Sequence, residues 1–157
     1  MDITIMLGSN SDMPVALKCT EVLERFEVDF QLRIASAHRS PRLVDEIVSK
    51  AHADGNKVFI TMAGLAAALP GAVASLTTCP VIGVPCSGKV PLDSLLSMVQ
   101  LPPGVPAAVV GVDNGANAAW LALQILAIAD EGIAAGLADE KEKAAMRVAQ
   151  MDQENRR

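Results

Sequence analysis

The sequence is poor in aromatic residues, histidine and clustered basic residues, and each shortage narrows the possible functions. Only 3% of its 157 residues are aromatic, against 51% hydrophobic residues overall, so the core must consist mainly of Ala, Val, Leu, Ile and Met. Such small side chains suit helices packed closely on a buried parallel sheet. The formal net charge is −5, and no basic cluster precedes the Arg156-Arg157 pair. We therefore expect no binding to nucleic acid, which requires clustered Lys and Arg.

Long apolar runs and cysteine pairs are also missing. No stretch reaches the roughly 18 apolar residues that a membrane-spanning helix requires, and residues 1–10 lack the basic start of a signal peptide. The three cysteines, Cys19, Cys79 and Cys86, show no Cys-x-x-Cys spacing, which argues against disulfides and a metal centre. We interpret them as buried small residues, and we expect a cytoplasmic protein with no metal and no membrane contact.

Short apolar segments alternate with segments of helical periodicity along the chain. The predicted strands are Ile3–Leu7, Val28–Ala35, Val58–Met62, Val81–Val84 and Ala107–Val112. The predicted helices are one carrying Val15, Cys19, Val22 and Phe26, one starting at Pro41, a small-residue helix through Leu76, Pro91–Val99, and an alanine-rich helix beyond Asn114. We expect Gly132 and Gly136 to interrupt this last helix before a charged helix from about residue 137.

This alternation predicts a single α/β domain over residues 1–157, with a parallel five-stranded sheet and helices on both faces. Either a flavodoxin-like or a Rossmann-like order of strands fits the pattern. In both, ligands bind at the carboxyl ends of the strands, beside the point where the strand order reverses. Residues that directly follow the strands are therefore the candidates for function.

The segment after the first strand, GSNSD (residues 8–12), combines Gly8 with two hydroxyls and a carboxylate. Gly8 permits a sharp turn, and Ser9 and Ser11 with free N–H groups could bind a phosphate or carboxylate. An ordinary helix cap explains the same residues slightly better when they are taken alone. Asp12 is the only acidic residue at a predicted strand end that we take as a site candidate.

The segment after the second strand, SAHRSP (residues 36–41), holds one of only two histidines in the chain. His38 could donate and accept protons near neutral pH, and Arg39 could bind a phosphate or carboxylate through two hydrogen bonds. A histidine satisfied by the backbone and a solvated arginine is an equally good interpretation. The second histidine, His52, lies late in a predicted helix, where we expect it at the surface.

The segment after the third strand, AGLAAALPG (residues 63–71), offers small side chains that would let a planar ligand approach the backbone. A packing corner made of small residues is a strong competing explanation. Residues 83–88 after the fourth strand would form another wall of the same crevice, or a plain glycine-proline loop.

Taken in order, GSNSD, SAHRSP, AGLAAALPG, PVIGVP and LDSLLSMVQLPPGVP followed by ANAA resemble the PurE family of purine biosynthesis, over about residues 3–129. The resemblance implies a flavodoxin-like three-layer α/β/α sandwich, a homo-octamer, C-terminal helices in subunit contacts and no cofactor. It also implies a small ribonucleotide substrate. One branch of the family moves a carboxylate from N5 to C4 of N5-carboxyaminoimidazole ribonucleotide (N5-CAIR), and the other carboxylates aminoimidazole ribonucleotide (AIR) directly with CO2.

The resemblance also implies roles for individual residues. His38 would be the general acid and base, while Ser36 with Arg39 would bind phosphate beside Ala37. Ser9, Ser11 and Asp12 would hold the ribose phosphate and the ring, next to Gly8. The segment from Ala63 and Gly64 through Ala66 and Ala67 to Leu69 would enclose the carboxylate or CO2.

Two segments distinguish the branches of the family, and one further position departs from the mutase branch. The direct carboxylase typically reads SAHK and AGRSN, whereas this chain has Arg39 and Leu65-Ala66-Ala67, so it resembles the mutase. The histidine that the mutase branch commonly carries in AHLPG is Ala68 here. A direct AIR carboxylase, a relative that carboxylates a pyridine dinucleotide, and a domain that binds a phosphorylated metabolite without turnover remain the alternatives.

Overall fold

The computed structural model describes residues 1–156 and contains a five-stranded parallel sheet. The strands are β1 (Ile3–Leu7), β2 (Phe30–Ile34), β3 (Val58–Ala63), β4 (Val81–Pro85) and β5 (Ala108–Val109). The helices are α1 (Met13–Arg25), α2 (Pro41–Ala53), α3 (Leu69–Ala74), α4 (Pro91–Val99), α5 (Gly115–Leu126) and α6 (Glu131–Asn155), and a short 3-10 helix covers Asn10–Asp12.

The strand order is β2-β1-β3-β4-β5, which is the flavodoxin order of a doubly wound sheet. The predicted fold class is therefore confirmed, and the order excludes the Rossmann alternative. All residues of β1, β3 and β4 are buried, as expected for parallel strands that are covered on both faces. The order reverses between β1 and β3, so the crevice at the carboxyl ends of these two strands is the place for a ligand.

The helices begin and end where the sequence provides the local signals. α2 starts at Pro41, whose missing N–H is harmless in the first turn, and it buries Val44, Ile47, Val48 and Ala51 along one face. Gly55 ends the helix region with a φ of 82°, a backbone conformation that glycine adopts without strain. Because α2 runs back along the sheet, its first turn lies near the carboxyl ends of the strands and its last turn near the amino ends.

Several predicted boundaries were wrong: β2 covers Phe30–Ile34 and not Val28–Ala35, and the largest differences are at β5 and α6. β5 pairs with β4 only over Ala108–Val109, although Ala107–Val112 was predicted, because the chain turns at Asp113 with a φ of 55°. The last helix begins at Glu131 and not near residue 137, and Gly132 and Gly136 lie inside it. Asp130 caps this helix by accepting a hydrogen bond from the N–H of Ile133 at 3.0 Å, so the interruption falls before Asp130 and not at the glycines.

The chain divides into two compact units, residues 1–122 and residues 123–157. The first unit contains the sheet and all the candidate site residues, and the second contains α6, none of whose side chains is buried. Trp120 in the first unit packs edge-on against Phe26, with ring centroids 5.5 Å apart. Within residues 1–156, no helix is both long and apolar enough to cross a membrane.

Candidate active site

The loops after β1 and β3 meet at the point where the strand order reverses. Gly8 donates its N–H to the carbonyl of Met62 at 2.9 Å. A Cβ added at Gly8 would lie 3.5 Å from the Cβ of Ala63, which is an ordinary van der Waals distance. Gly8 and Ala63, two of the predicted site residues, therefore lie next to each other.

The GSNSD loop is held by hydrogen bonds among its own members. Ser9 donates its N–H to Oδ2 of Asp12 at 3.0 Å, and its own Oγ accepts a hydrogen bond from the N–H of Ser11 at 3.3 Å. The Ser11 hydroxyl donates to Oδ1 of Asp12 at 3.3 Å. The helix cap considered as the simpler explanation is therefore present, and it places two hydroxyls and one carboxylate at the crevice.

Asp12 is buried, with 7% of its surface exposed. Burial raises the pKa of its carboxyl above the usual value, and the nearby Asp113 acts in the same direction. Hydrogen bonds from Ser11, Ser9 and Cys86 oppose this rise. The loop therefore presents a carboxylate that is partly removed from water but supplied with donors, which suits recognition of sugar hydroxyls.

The SAHRSP segment forms an exposed turn closed by serine. Ser40 donates its N–H to the carbonyl of Ser36 at 2.8 Å, and Ser36 donates its N–H to the Ser40 hydroxyl at 3.0 Å. Arg39 then crosses to the first loop, where its Nη2 donates to the carbonyl of Gly8 at 3.1 Å, while its Nε donates to the Ser36 hydroxyl at 3.3 Å. Because a guanidinium has five N–H donors, others remain for an anionic group of a ligand.

His38 stands at the tip of this turn, next to the half-buried Ala37, and is exposed. Within residues 1–156 no hydrogen bond or ion pair fixes its imidazole. The competing interpretation, a histidine satisfied by the backbone, therefore finds no support in the structure. An exposed imidazole at a strand end can exchange protons with a bound molecule.

The segment after β3 is only partly open to a ligand. Gly64 is tightly packed, since an added Cβ would lie 3.3 Å from the carbonyl oxygen of Cys86. Leu65 adopts a φ of 51° and is 66% exposed, and Ala66 is exposed as well. The side chains of Ala67 and Leu69 are instead buried in the hydrophobic core, so these two residues can face a ligand only through their backbone.

Asp113 borders the crevice together with Cys86 and Ser87. Cys86 and Ser87 belong to residues 83–88, which were predicted as a possible wall of the crevice, whereas sequence reasoning did not select Asp113. Ser87 donates its N–H to Oδ1 of Asp113 at 2.7 Å. Cys86 is buried beside Asp12, and burial together with Asp12 and Asp113 raises the pKa of its thiol to about 12. Asp113 directly follows the predicted fifth strand. A search for candidate residues after that strand, as was made after the first four, would have found it.

The cysteines and the second histidine lie largely where the sequence predicted. Cys19 is buried and His52 is exposed, as predicted, and Cys86 is buried while Cys79 is half-buried. Among residues 1–156, no three His, Cys, Asp or Glu side chains come together in a way that could hold a metal ion.

Comparisons with known proteins agree with this arrangement. Residues 2–147 match the family described as AIR carboxylase. The N5-carboxyaminoimidazole ribonucleotide mutase of Methanocaldococcus jannaschii is 55% identical over 152 residues, which cover 96% of this chain and 95% of that protein. The mutase of the same name from Pyrococcus abyssi is 52% identical over 126 residues, covering 79% of this chain and 72% of that one. A substituted form of PurE2 from Treponema denticola has a solved structure that superposes with a TM-score of 0.92 at 29% identity, covering 100% of both chains. The chain therefore belongs to the AIR carboxylase family.

Proposed function

We propose that this protein is an N5-carboxyaminoimidazole ribonucleotide mutase of purine biosynthesis. It converts N5-CAIR to 4-carboxyaminoimidazole ribonucleotide by moving one carboxylate within the molecule. The observation that carries the proposal is the bridge from Arg39 to Gly8. This bridge joins the SAHRSP turn to the GSNSD loop at the reversal of strand order, in a chain 55% identical to a protein named for this reaction.

The two joined loops provide the groups that a ribonucleotide requires. Ser36 and Arg39 bind the phosphate, through a hydroxyl and a guanidinium that already lie 3.3 Å apart. Ser9, Ser11 and Asp12 hold the ribose, because their hydroxyls and carboxylate match its hydroxyl groups in hydrogen-bonding capacity. Ala37 and Gly8 keep the space beside these groups free for the ring.

His38 carries the protons of the reaction. The bond between N5 and the carboxylate carbon breaks, CO2 is released beside the ring, and the amine nitrogen gains a proton. C4 then forms a bond to the same CO2 and loses its own proton, so one imidazole can give the first proton and take the second. A well-placed acid and base of this kind contributes on the order of 10² to 10⁴ in rate.

The CO2 must stay beside the ring between these two steps. Gly8, Ala63, Gly64 and Ala66 surround that position with little side-chain volume, and the backbone of Ala67 to Leu69 continues the wall. Leu65 and His38 are exposed in the isolated chain, so the walls of one chain leave the crevice open. A cytoplasmic homo-octamer would complete the crevice. Each subunit would be one domain of residues 1–157, neighbouring subunits would close the crevice, and the C-terminal helix would make subunit contacts.

The decisive experiment supplies purified protein with N5-CAIR in buffer freed of bicarbonate and follows the C4-carboxylated product. We expect product from N5-CAIR alone. A parallel reaction with AIR and bicarbonate tests direct carboxylation, and product only in this second reaction would place the protein in the other branch of the family. Saturable binding of AIR without product in either reaction would instead indicate a binding domain.

The same assay tests whether the reaction requires a histidine at position 68. The chain has Ala68 there, half-buried at the start of α3. Because the substrate's carboxylate can also be oriented by backbone N–H groups, we expect turnover without the imidazole. An Ala68→His variant that gains more than about tenfold in kcat/KM, equivalent to about 1.4 kcal/mol in the transition state, would show that the backbone is a poor substitute.

A further inference from the structure

The segment that follows β4 forms the back wall of the crevice. Cys86 extends the pairing of β4 with β3 by donating its N–H to the carbonyl of Ala63 at 2.9 Å. Its own carbonyl accepts a hydrogen bond from the buried Ser94 hydroxyl at 3.1 Å, and it lies against Gly64. The backbone position of Cys86 therefore decides how much room remains at Gly64.

Asp113 holds this segment on both sides of Cys86. The N–H of Asp113 donates to the carbonyl of Pro85 at 2.9 Å. Its Oδ1 accepts the N–H of Ser87 at 2.7 Å. Hydrogen bonding first from the Ser87 side chain and then from its N–H lowers the pKa of the Asp113 carboxyl. A charged carboxylate is a stronger acceptor for a backbone N–H than a neutral oxygen.

The backbone of Asp113 is itself in an uncommon conformation. Its φ is 55°, in the left-handed region that most residues with a Cβ avoid and that Asp, Asn and Gly tolerate best. Backbone strain of this kind persists where the surrounding structure requires it, and it is concentrated at functional sites. Here the conformation turns both the N–H and the carboxylate of Asp113 towards residues 85–87.

The segment is connected to the substrate-binding loop through Ala63, whose carbonyl accepts the N–H of Cys86 at 2.9 Å and whose side chain lies against Gly8, the first residue of that loop. The thiol of Cys86 is buried and donates a hydrogen bond to the carbonyl of Val84 at 3.8 Å, and it opposes the rise in the pKa of the nearby Asp12 carboxyl. Asp12 in turn accepts the N–H of Ser9 and the hydroxyl of Ser11. A displacement of residues 85–87 would thus reach the hydroxyls and the carboxylate that face the ribose.

We propose that Asp113 is a positioning residue of the active site, which acts through Ser87 and Cys86 to hold Asp12 in its substrate-binding position. The proposal rests on the function proposed above, because Asp12 is taken to bind the ribose of the substrate. Since Asp113 does not touch the reacting atoms, it acts mainly on substrate binding and much less on the chemical step.

Two substitutions separate the carboxylate from the backbone conformation. Asp113→Gly removes the acceptor for Ser87 but keeps a residue that adopts a positive φ easily. Asp113→Asn keeps an oxygen acceptor and also tolerates this φ, so it should restore most of the function. We expect Asp113→Gly to raise KM for N5-CAIR about tenfold with kcat changed less than about threefold, and Asp113→Asn to raise KM less than about threefold.

Thr77 provides a matched control at the opposite end of β4. Its hydroxyl oxygen accepts the N–H of Cys79 at 3.1 Å, so Thr77→Ala also removes a side-chain acceptor that holds a loop next to this strand. We expect its KM and kcat to equal those of the wild type within about twofold. A rise in KM for Thr77→Ala equal to that for Asp113→Gly would assign the effect to general loosening of β4 and overturn the proposal.

A double-variant cycle with Cys86→Ala tests the connection itself. If Asp113 acts through Cys86, the double variant raises KM no further than the larger of the two single changes. Additive effects on KM, or an unchanged KM in Asp113→Gly, would contradict the proposal. Wild-type protein in the same assay keeps the two hypotheses apart, because loss of turnover there contradicts the mutase function and not the role of Asp113.

Discussion

The two ends of the parallel sheet differ in backbone strain and in the exposure of their polar side chains. At the amino ends, Asn56 is buried and accepts the Thr4 hydroxyl at 2.7 Å while donating to the carbonyl of Val58 at 3.1 Å. Gln31 adds a donor to the Thr4 hydroxyl at 3.0 Å. Each of these side chains has a fixed protein partner, as expected of a region selected for stability.

The carboxyl ends combine strained backbone and exposed side chains with a buried carboxyl. Leu65 and Asp113 both adopt a positive φ, His38 is exposed, and Asp12 keeps a carboxyl whose pKa is raised by burial. Such features lower stability unless a ligand uses them. The comparison indicates that one end of the sheet maintains the fold and that the other is available for chemistry.

The two histidines provide the sharpest test of this contrast, with the largest expected effect. His38 lies at the carboxyl ends, whereas His52 lies late in α2 near the amino ends, with its Nδ1 3.8 Å from the thiol of Cys79. We expect His38→Asn to lower kcat by about 10² to 10⁴ with little change in the free energy of unfolding. His52→Asn should leave kcat within about twofold of the wild type.

Steady-state kinetics with N5-CAIR and urea unfolding of both variants measure these effects. Substrate binding should survive in His38→Asn, since the variant keeps Arg39 and the serines. A His38→Asn protein that turns over normally would remove the proton-transfer role from this residue. A similar loss of kcat in both variants would mean that the contrast between the ends is wrong.

Asn56 tests the other side of the comparison, because its effect should appear in stability and not in catalysis. Asn56→Ala leaves the hydroxyl of Thr4 and the carbonyl of Val58 without this buried partner. We expect a loss of about 1–3 kcal/mol in the free energy of unfolding and a kcat/KM within about twofold of the wild type.

Ser49 is the control for Asn56, since it makes a comparable side-chain hydrogen bond, to Asp45 at 3.4 Å, on the exposed surface of α2. Ser49→Ala should change the free energy of unfolding by less than about 0.5 kcal/mol. Equal losses in the two variants would show that burial does not distinguish the Asn56 network.

Sequence patterns predicted those features of the two ends of the sheet that depend on residues close together in the chain. Apolar runs located every strand, and Pro41 fixed the start of α2, because both signals act within a few residues. Gly132 and Gly136 were misjudged, since the propensity of glycine to end a helix is weak beside a strong cap such as Asp130. Asp113 directly follows the predicted fifth strand but was missed, because its two partners, Pro85 and Ser87, are far away in the sequence and meet it only through strand pairing. The bridge from Arg39 to Gly8 likewise depends on strand order, which hydrophobic periodicity does not encode.

Asp12 and Asp113 allow the contrast to be followed with pH. The folded-state pKa of Asp12 is raised, so its contribution to stability is complete below the unfolded pKa and is lost as pH rises through the folded one. The pKa of Asp113 is lowered, so its contribution is present above the unfolded pKa and is lost as pH falls. Asp12→Asn should therefore gain in Tm over the wild type as pH rises from about 3.5 to 7, while Asp113→Asn should fall further behind.

Thermal unfolding of the three proteins across this pH range measures both trends. Differences in Tm that stay constant with pH would mean that neither carboxyl has the assigned shift. Opposite trends would show that the site candidate Asp12 lowers stability near neutral pH, whereas the carboxylate of Asp113, which positions Asp12, contributes stability there. Asp12→Asn should also weaken substrate binding, which links its gain in Tm to a loss of function.

Apart from the control variants, substitutions of Leu65 should have the smallest effect on stability. They distinguish the cost of backbone strain from the contribution of the side chain. Its left-handed conformation costs roughly 1–2 kcal/mol for a residue with a Cβ, whereas its side chain is 66% exposed and contributes little burial. Leu65→Gly relieves the strain but increases the entropy of the unfolded chain by about 0.4–1 kcal/mol, so we expect a net gain of less than about 1 kcal/mol in urea unfolding. Leu65→Ala keeps the strain and should show no gain. Both variants remove the apolar side chain beside the position of CO2, and we expect a few-fold loss of kcat/KM in both. If stability is gained only in Leu65→Gly, the strained backbone is retained because it places this leucine over the site. A loss of stability in Leu65→Gly would mean that Leu65 belongs with the stabilising part of the molecule, and that the strain at the carboxyl ends is confined to Asp113.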